Sequence, residues 1–308
     1  MAPGTEDVQW QSQEDPIGAL AGIPVAVLVA GLAALPARGQ DVPPDPEEEV
    51  EVTTATADDV ALLVEVHAQA KGDKDGARLA QVLAQMSGHD NPEFKPLALD
   101  AIRYRASPVD KRAAKDLAEE LGTTSRKDVE RLVLEREARV QSAAAHVLAN
   151  HPGDRAVLKV LERAFGDKRL RRDKPTVVAA LIFAFGRLRH DEVEEEVVRE
   201  LSRSSTREVT RASVRYLGQL PTKSFDHVRQ LCELLEPPQP ASVDHPDNPP
   251  AGFWAGAWET WSWTRRDVTW SLKQITGQVF RPAEGDHPSD YQAAIAYIEE
   301  HRERLGLD

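Results

Sequence analysis

Arg211, Arg215, Arg266 and Lys273, interleaved with the rings of His146, Phe183 and Trp270, are the residues of this chain whose types and spacing suit a recognition chemistry. Guanidinium groups pair with carboxylates through two parallel hydrogen bonds, and a neighbouring tryptophan supplies an apolar anchor. The ligand such a row fits is an acidic, extended segment of a protein or peptide; the competing reading is a set of ordinary solvated arginines. Nothing comparable points to catalysis. The sequence holds no HExxH zinc helix, GxSxG elbow, GxGxxG turn or phosphate-binding glycine loop. Cys232, the single cysteine, falls in the stripe Val228, Leu231, Leu235 and reads as a small core group. His146 and His151 are five apart, on different sides of a helix, and the chain has too few Cys or closely spaced His to complete a four-ligand zinc site. The expectation is no catalytic residue, no cofactor and no metal.

Three further stretches carry charge or rings. KRLRRDK (168–174) reads as a dense basic loop, either solvated surface or a holder for a phosphate or an acidic peptide. KGDKDG (71–76) is laid out faintly like a calcium loop, but Lys71 and Val82 stand where the first and twelfth oxygen ligands are needed, so it reads as an interhelical turn. FWAGAWETWSWTRRDVTW holds Trp254, Trp258, Trp261, Trp263 and Trp270. The expected role is a large aromatic plug sealing the end of the fold, the alternative an exposed platform for a flat ligand.

The elements that would position these groups repeat. From the anchor Val209, the residues Ser213, Tyr216, Leu217 and Leu220 fall at i+4, i+7, i+8 and i+11, one face of a helix. The template recurs from Val177 (Leu181, Ala184, Phe185, Leu188), Val140 (Ala144, Val147, Leu148), Phe94 (Ala98, Ala101, Ile102) and, more loosely, Thr264 (Val268, Ser271, Leu272, Ile275). Ala143, Ala180 and Ala212 at i+3 let a neighbouring helix approach. A second amphipathic segment precedes each copy, such as Val157, Leu158, Leu161, Phe165 or Val193, Val197, Val198, Leu201. The anchors are 46, 37, 32 and 55 residues apart. Such periods indicate a solenoid whose repeats bury their apolar faces only by stacking. An extra helix over 126–135 lengthens the second unit and the Pro-rich loop 236–250 the last. Positions two, six and nine residues after each anchor point away from the core face, which is how the basic and aromatic row arises.

EVTRASVRYLGQL and ARVQSAAAHVLANHP resemble the second helix of HEAT repeats, including their phycobilisome-lyase-like variety, with a Val, a run of small residues and a Leu-Gly at the helix end. The resemblance covers roughly residues 77–277. It departs at the residue after the anchor, where the family's basic side chain is replaced by Thr210, Gln141 and Val178. SLKQITGQVF (271–280) resembles the closing helix of HEAT-type proteins of bacterial cell envelopes. The resemblance implies an all-α, right-handed α-α superhelix, a HEAT-like solenoid, acting as a non-enzymatic scaffold or adaptor. It also brings the alternative of a bilin-lyase-like enzyme, and the tryptophan cluster brings that of a ligand-binding module.

Read in order, residues 1–39 hold the apolar run Ile17–Leu35, followed by Ala37 and Gly39 at the −3 and −1 positions of a cleavage site. A secretory signal is the expectation and a membrane anchor or buried helix the alternatives; Glu6, Asp7, Glu14 and Asp15 stand where a signal carries basic residues. Residues 40–57 form a disordered acidic, Pro-rich linker, 58–236 the repeats, 237–250 a Pro-rich loop, and 251–308 a Trp-rich closing repeat and a cap helix over 289–305. A formal charge of −13 argues against a nucleic-acid partner. The expected partner is a protein or acidic peptide, in the periplasm or cell envelope, with membrane contact only through the N-terminal segment.

Overall fold

A computed structural model describes residues 53–123, 125–203, 206–221, 223–238, 251–280 and 289–307, all within one unit, residues 45–308. The expected signal or anchor (17–39), most of the acidic linker and nearly all of the Pro-rich loop lie outside the described residues. The described chain is all-α. It comprises α1 (Ala57–Gly72), α2 (Gly76–Met86), α3 (Phe94–Ala101), α4 (Pro108–Glu120), α5 (Arg126–Leu148), α6 (Arg155–Phe165) and α7 (Lys168–Asp173). Then follow α8 (Pro175–Arg187), α9 (Glu194–Arg203), α10 (Arg207–Gln219), α11 (Phe225–Glu233), α12 (Ala251–Thr276) and α13 (Ser289–Glu300). Only two isolated β-bridges, Thr53 with His89 and Lys223 with Leu307, interrupt the helical pattern among the described residues.

Local chemistry starts these helices where the sequence changes character. Thr56 and Ser107 close capping boxes with Asp59 and Asp110, and Pro108 occupies the first turn of α4. Asp75, Asp154 and Asp167 each accept two backbone N–H groups at the starts of α2, α6 and α7. Within the 71–76 stretch, residues 73–75 make the turn between α1 and α2, with Lys74 at φ 58°.

The anchor helices pack in chain order: α2 and α3 on α5, α5 on α8, α8 on α10, α10 on α12. Helices α6, α9 and α11 lie against α8, α10 and α12, and α13 folds back on α11. Val140, Val177 and Val209 are buried, as are Phe94 and Thr264, and so is almost every i+4, i+7 and i+8 residue of the template. Cys232 is buried in its stripe, and burial pushes its thiol up to about 12.

Four details differ from the sequence reading. The extra helix over 126–135 is continuous with the anchor helix, because Arg126–Leu148 contains no Gly or Pro to break it. Its first half pairs with α4 around a separate small core of Ala114, Ala118 and Leu132. The basic stretch 168–174 is a helix, not a loop, because Asp167 caps it and Leu170 packs on the core. The cap helix ends at Glu300, followed by turns, with Ala294 and Ile298 inward and Ala296 outward. The tryptophans of α12 make no buried plug. Trp258 is exposed and Trp254, Trp261, Trp263 and Trp270 are half-buried, because Thr264, Val268, Ser271 and Leu272 fill the inward face of that helix.

Candidate anion-binding site

The expected row of Arg211, Arg215, Arg266, Lys273 and Trp270 is largely engaged inside the protein. Nε of Arg215 and Nε of Arg211 donate to Oδ1 of Asp267, at 2.8 and 3.3 Å. Asp267 is buried between α10 and α12, and the Arg215 guanidinium lies over the Trp270 ring at 5.3 Å. These two arginines therefore hold α10 to α12, and reversing their charge would disturb packing as well as any partner. Arg266 and Lys273 are exposed. His146 and Phe183 meet edge to face at 5.0 Å, and desolvation, with the charge of Arg187, lowers the imidazole to about 4. His146 is neutral at physiological pH and supplies no cation for an acidic ligand. The tertiary signal that the row is internally paired was present in the sequence. At anchor+3 the three middle units carry Ala143, Ala180 and Ala212, whereas the last carries Asp267, a carboxylate at a close-approach position. The position nine after the anchor is not outward in the middle units either. Gly186 and Gly218 stand there, buried against the neighbouring helix.

A concave feature rich in cations lies nearer the N-terminus. A cavity of ≈ 550 Å³ opens where the segment after α3 faces α5, α6 and α7. That is within the usual range for ligand pockets. Ile102, Leu134, Val160 and Leu170 give it apolar walls, and Arg103, Arg105, Arg163, Arg169 and Lys174 surround them. Its two carboxylates are already occupied. Asp167 accepts the backbone N–H groups of Arg169 and Leu170, and Asp173 takes a two-pronged bond from Arg172 at 2.7 and 3.0 Å. Arg172 holds the Asp173 carboxyl below its usual range. Arg171, by contrast, turns away to Glu200 at 3.1 Å and over the Phe165 ring. Among the described residues, Arg103 and Arg163 have no carboxylate within ion-pair distance.

A buried polar network fixes this cleft. Nζ of Lys174, which joins α7 to α8, donates to Oε2 of Glu137 at 2.5 Å and to Oε1 of Gln141 at 3.0 Å. Glu137 Oε1 accepts the N–H of Ala106 at 2.8 Å, and Gln141 Nε2 donates to the carbonyl of Tyr104 at 3.1 Å. Burial alone would raise the Glu137 carboxyl. The Lys174 and Ala106 hydrogen bonds, with the charges of Lys174 and Arg105, outweigh it and leave the group below its ordinary value. The network thus clamps residues 104–106 onto α5 from both sides, and Arg103 and Arg105 flank that clamp. Tyr104 and Asp110 add a hydrogen bond from hydroxyl to carboxylate, and Asp110 also accepts the N–H of Gly76, tying the same segment to α2.

A second depression of ≈ 390 Å³ shares Arg103 and Arg105 and continues to Lys71, Lys74 and His67. The two hollows therefore meet at the same pair of arginines. Only the 168–174 cluster was visible as a basic motif in the sequence. Arg103, Arg105 and Arg163 belong to other elements, with no shared periodicity. The arrangement is suited to holding carboxylates or phosphates against an apolar floor. No protein-family model matches the chain, and neither a curated protein nor a solved structure matches it.

Proposed function

We propose that this is a non-enzymatic helical-repeat adaptor that grips an extended acidic segment of a protein partner, with the cleft around Arg103 and Arg163 as its principal contact. The observation that carries the reading is that these two arginines lack carboxylate partners among the described residues, although the chain has 51 acidic and 38 basic residues. An extended segment is favoured over a compact ligand because two hollows adjoin at Arg103 and Arg105. Apolar walls favour a segment in which a Leu- or Val-like side chain alternates with carboxylates. The chain-order packing of the anchor helices supports a HEAT-like solenoid, whose stacked pairs order such a surface before binding and so reduce the entropy lost. The apolar run 17–35 with small residues at 37 and 39 supports export to the cell envelope.

Exposed ion pairs contribute about 1 kcal/mol or less each, so affinity rests on several pairs plus one buried apolar side chain worth about 2 kcal/mol. Fluorescence anisotropy with a labelled decapeptide alternating Glu and Leu tests this. Binding should weaken with salt and fall roughly 30-fold or more in Arg103→Glu/Arg163→Glu, which loses two attractions and gains two repulsions. A Lys–Leu peptide should not bind. Equal binding of the variant and the wild type removes the cleft from the reading.

A further inference from the structure

We propose that Glu162, His190 and Glu192 form a site for a divalent first-row transition cation of the Zn²⁺ class, separate from the arginine cleft. One ligand atom from each of the three lies within 4.8 Å of the other two. Glu162 belongs to α6, while His190 and Glu192 belong to the turn between α8 and α9, so the group joins elements 28 residues apart in sequence. None of the three lines the cleft.

The histidine carries the assignment. His190 is more than nine-tenths buried, and its Nε2 has no hydrogen-bond partner. That nitrogen lies only 2.8 Å from Oε1 of Glu162, yet the two are not aligned for donation. A buried imidazole nitrogen that touches a carboxylate without an aligned hydrogen bond leaves a polar group unsatisfied, which is costly. The same arrangement suits two ligands of one cation. Ligands about 2.1 Å from a tetrahedral metal sit about 3.4 Å from each other, so Nε2 and Oε1 need part by only about half an ångström to share one cation. Glu192 is exposed and completes a group of one nitrogen and two carboxylate oxygens, a set that suits Zn²⁺ and its neighbours better than Mg²⁺.

The imidazole is also held in place. The backbone N–H of His190 donates to the carbonyl of Phe185 at 3.0 Å, closing α8 through Arg189 at φ 52°. Its carbonyl accepts the Tyr216 hydroxyl at 2.8 Å, and its ring lies 5.5 Å from that of Phe185. Fixed ligand orientation of this kind is what surrounding groups supply at metal centres. With three protein ligands, a fourth position stays open to water or to an external donor on the solvent side.

The experiment uses full-length protein stripped with a chelator. It is titrated with Zn²⁺ against a chromophoric competitor, and with Co²⁺ followed by its visible absorption. One equivalent per chain should bind and resist a large excess of Mg²⁺. Glu162→Gln/Glu192→Gln should weaken Zn²⁺ binding about tenfold or more. Both carboxylates reach solvent, so the circular dichroism and thermal midpoint of the metal-free variant should match the wild type. Equal Zn²⁺ affinity in the variant would mean that the ion sits elsewhere and overturns the assignment. Failure of the wild type to take up either ion overturns it as well.

Discussion

Alanine at Gly218, Gly186 and Gly256 is one chemical change with three expected outcomes, each set by what surrounds the site. In a helix interior Gly→Ala is worth about 1 kcal/mol of stability through propensity alone. At Gly218 a Cβ would stand 2.9 Å from both Cα and Cβ of Ser271, against the 3.5–4.0 Å of ordinary carbon contacts. The obstacle is the backbone of α12, so α10 and α12 must part by about half an ångström or more, which strains the bond from Ser271 Oγ to the Val214 carbonyl. Overpacking of this kind costs about 1–3 kcal/mol and exceeds the propensity gain, so Gly218→Ala should lose about 1–2 kcal/mol net. At Gly186 the nearest atom is Oε1 of Gln219, the free end of a side chain that can swing aside, leaving Tyr216 Cα at 3.3 Å. Gain and loss nearly cancel there. Gly256 has nothing within 4 Å, so alanine should stabilise α12 by up to about 1 kcal/mol. Urea unfolding followed by circular dichroism at 222 nm gives the order, with unchanged slopes as the condition for comparing midpoints. If Gly218→Ala proves as stable as Gly256→Ala, the close crossing of α10 and α12 is wrong, and with it the order of helix packing.

Glu137→Gln should cost about 3 kcal/mol by leaving Lys174 buried and charged, while Glu137→Leu/Lys174→Met should recover much of that loss in the same unfolding assay. Because the Glu137 carboxyl is depressed, the pair's contribution is present above the ordinary carboxylate pKa and lost as pH falls through the folded value, so the wild type and Glu137→Gln should converge in stability at low pH. Asp267→Ala should cost about 2–3 kcal/mol, less than a fully buried pair because Arg211 and Arg215 retain some solvent, and a loss below 0.5 kcal/mol in urea unfolding would contradict the pairing. Cys232 should resist iodoacetamide at pH 8 in the folded protein and react within minutes once urea unfolds it, because burial suppresses the thiolate; mass spectrometry reads the difference.

The spine of the fold was legible because it is written at one period. Val140, Val177 and Val209 with their i+4, i+7 and i+8 partners are the same few residue types at the same spacing, and burial follows from helix geometry alone. Gly218 is visible in a Leu-Gly signature and Gly186 stands at the same register after Phe185, although the close crossing that requires them belongs to the tertiary structure. The continuity of α5 was missed because an amphipathic helix that changes partners midway looks like two helices. Its first half faces Ala114 and Ala118, and its second half faces the main core.

Charge does not follow that period, and the sites were correspondingly harder to read. Whether an arginine is available to a partner depends on whether the fold brings a carboxylate to it, and at the buried pairs of this chain the carboxylates come from far away. Asp267 reaches Arg211 and Arg215 across more than fifty residues, and Glu137 reaches Lys174 across 37. A row of basic residues on one helix therefore overstates what is free, as Arg211 and Arg215 demonstrate. Scattered cations on separate elements understate it, as Arg103 and Arg163 demonstrate. Many arginines of this chain lie in no ion pair among the described residues, so what sets Arg103 and Arg163 apart is that they gather around one cavity from separate elements. The same reasoning makes His190 informative: a buried nitrogen beside a carboxylate, yet without a hydrogen bond, marks a place where the chain's own groups leave a valence for something else to fill.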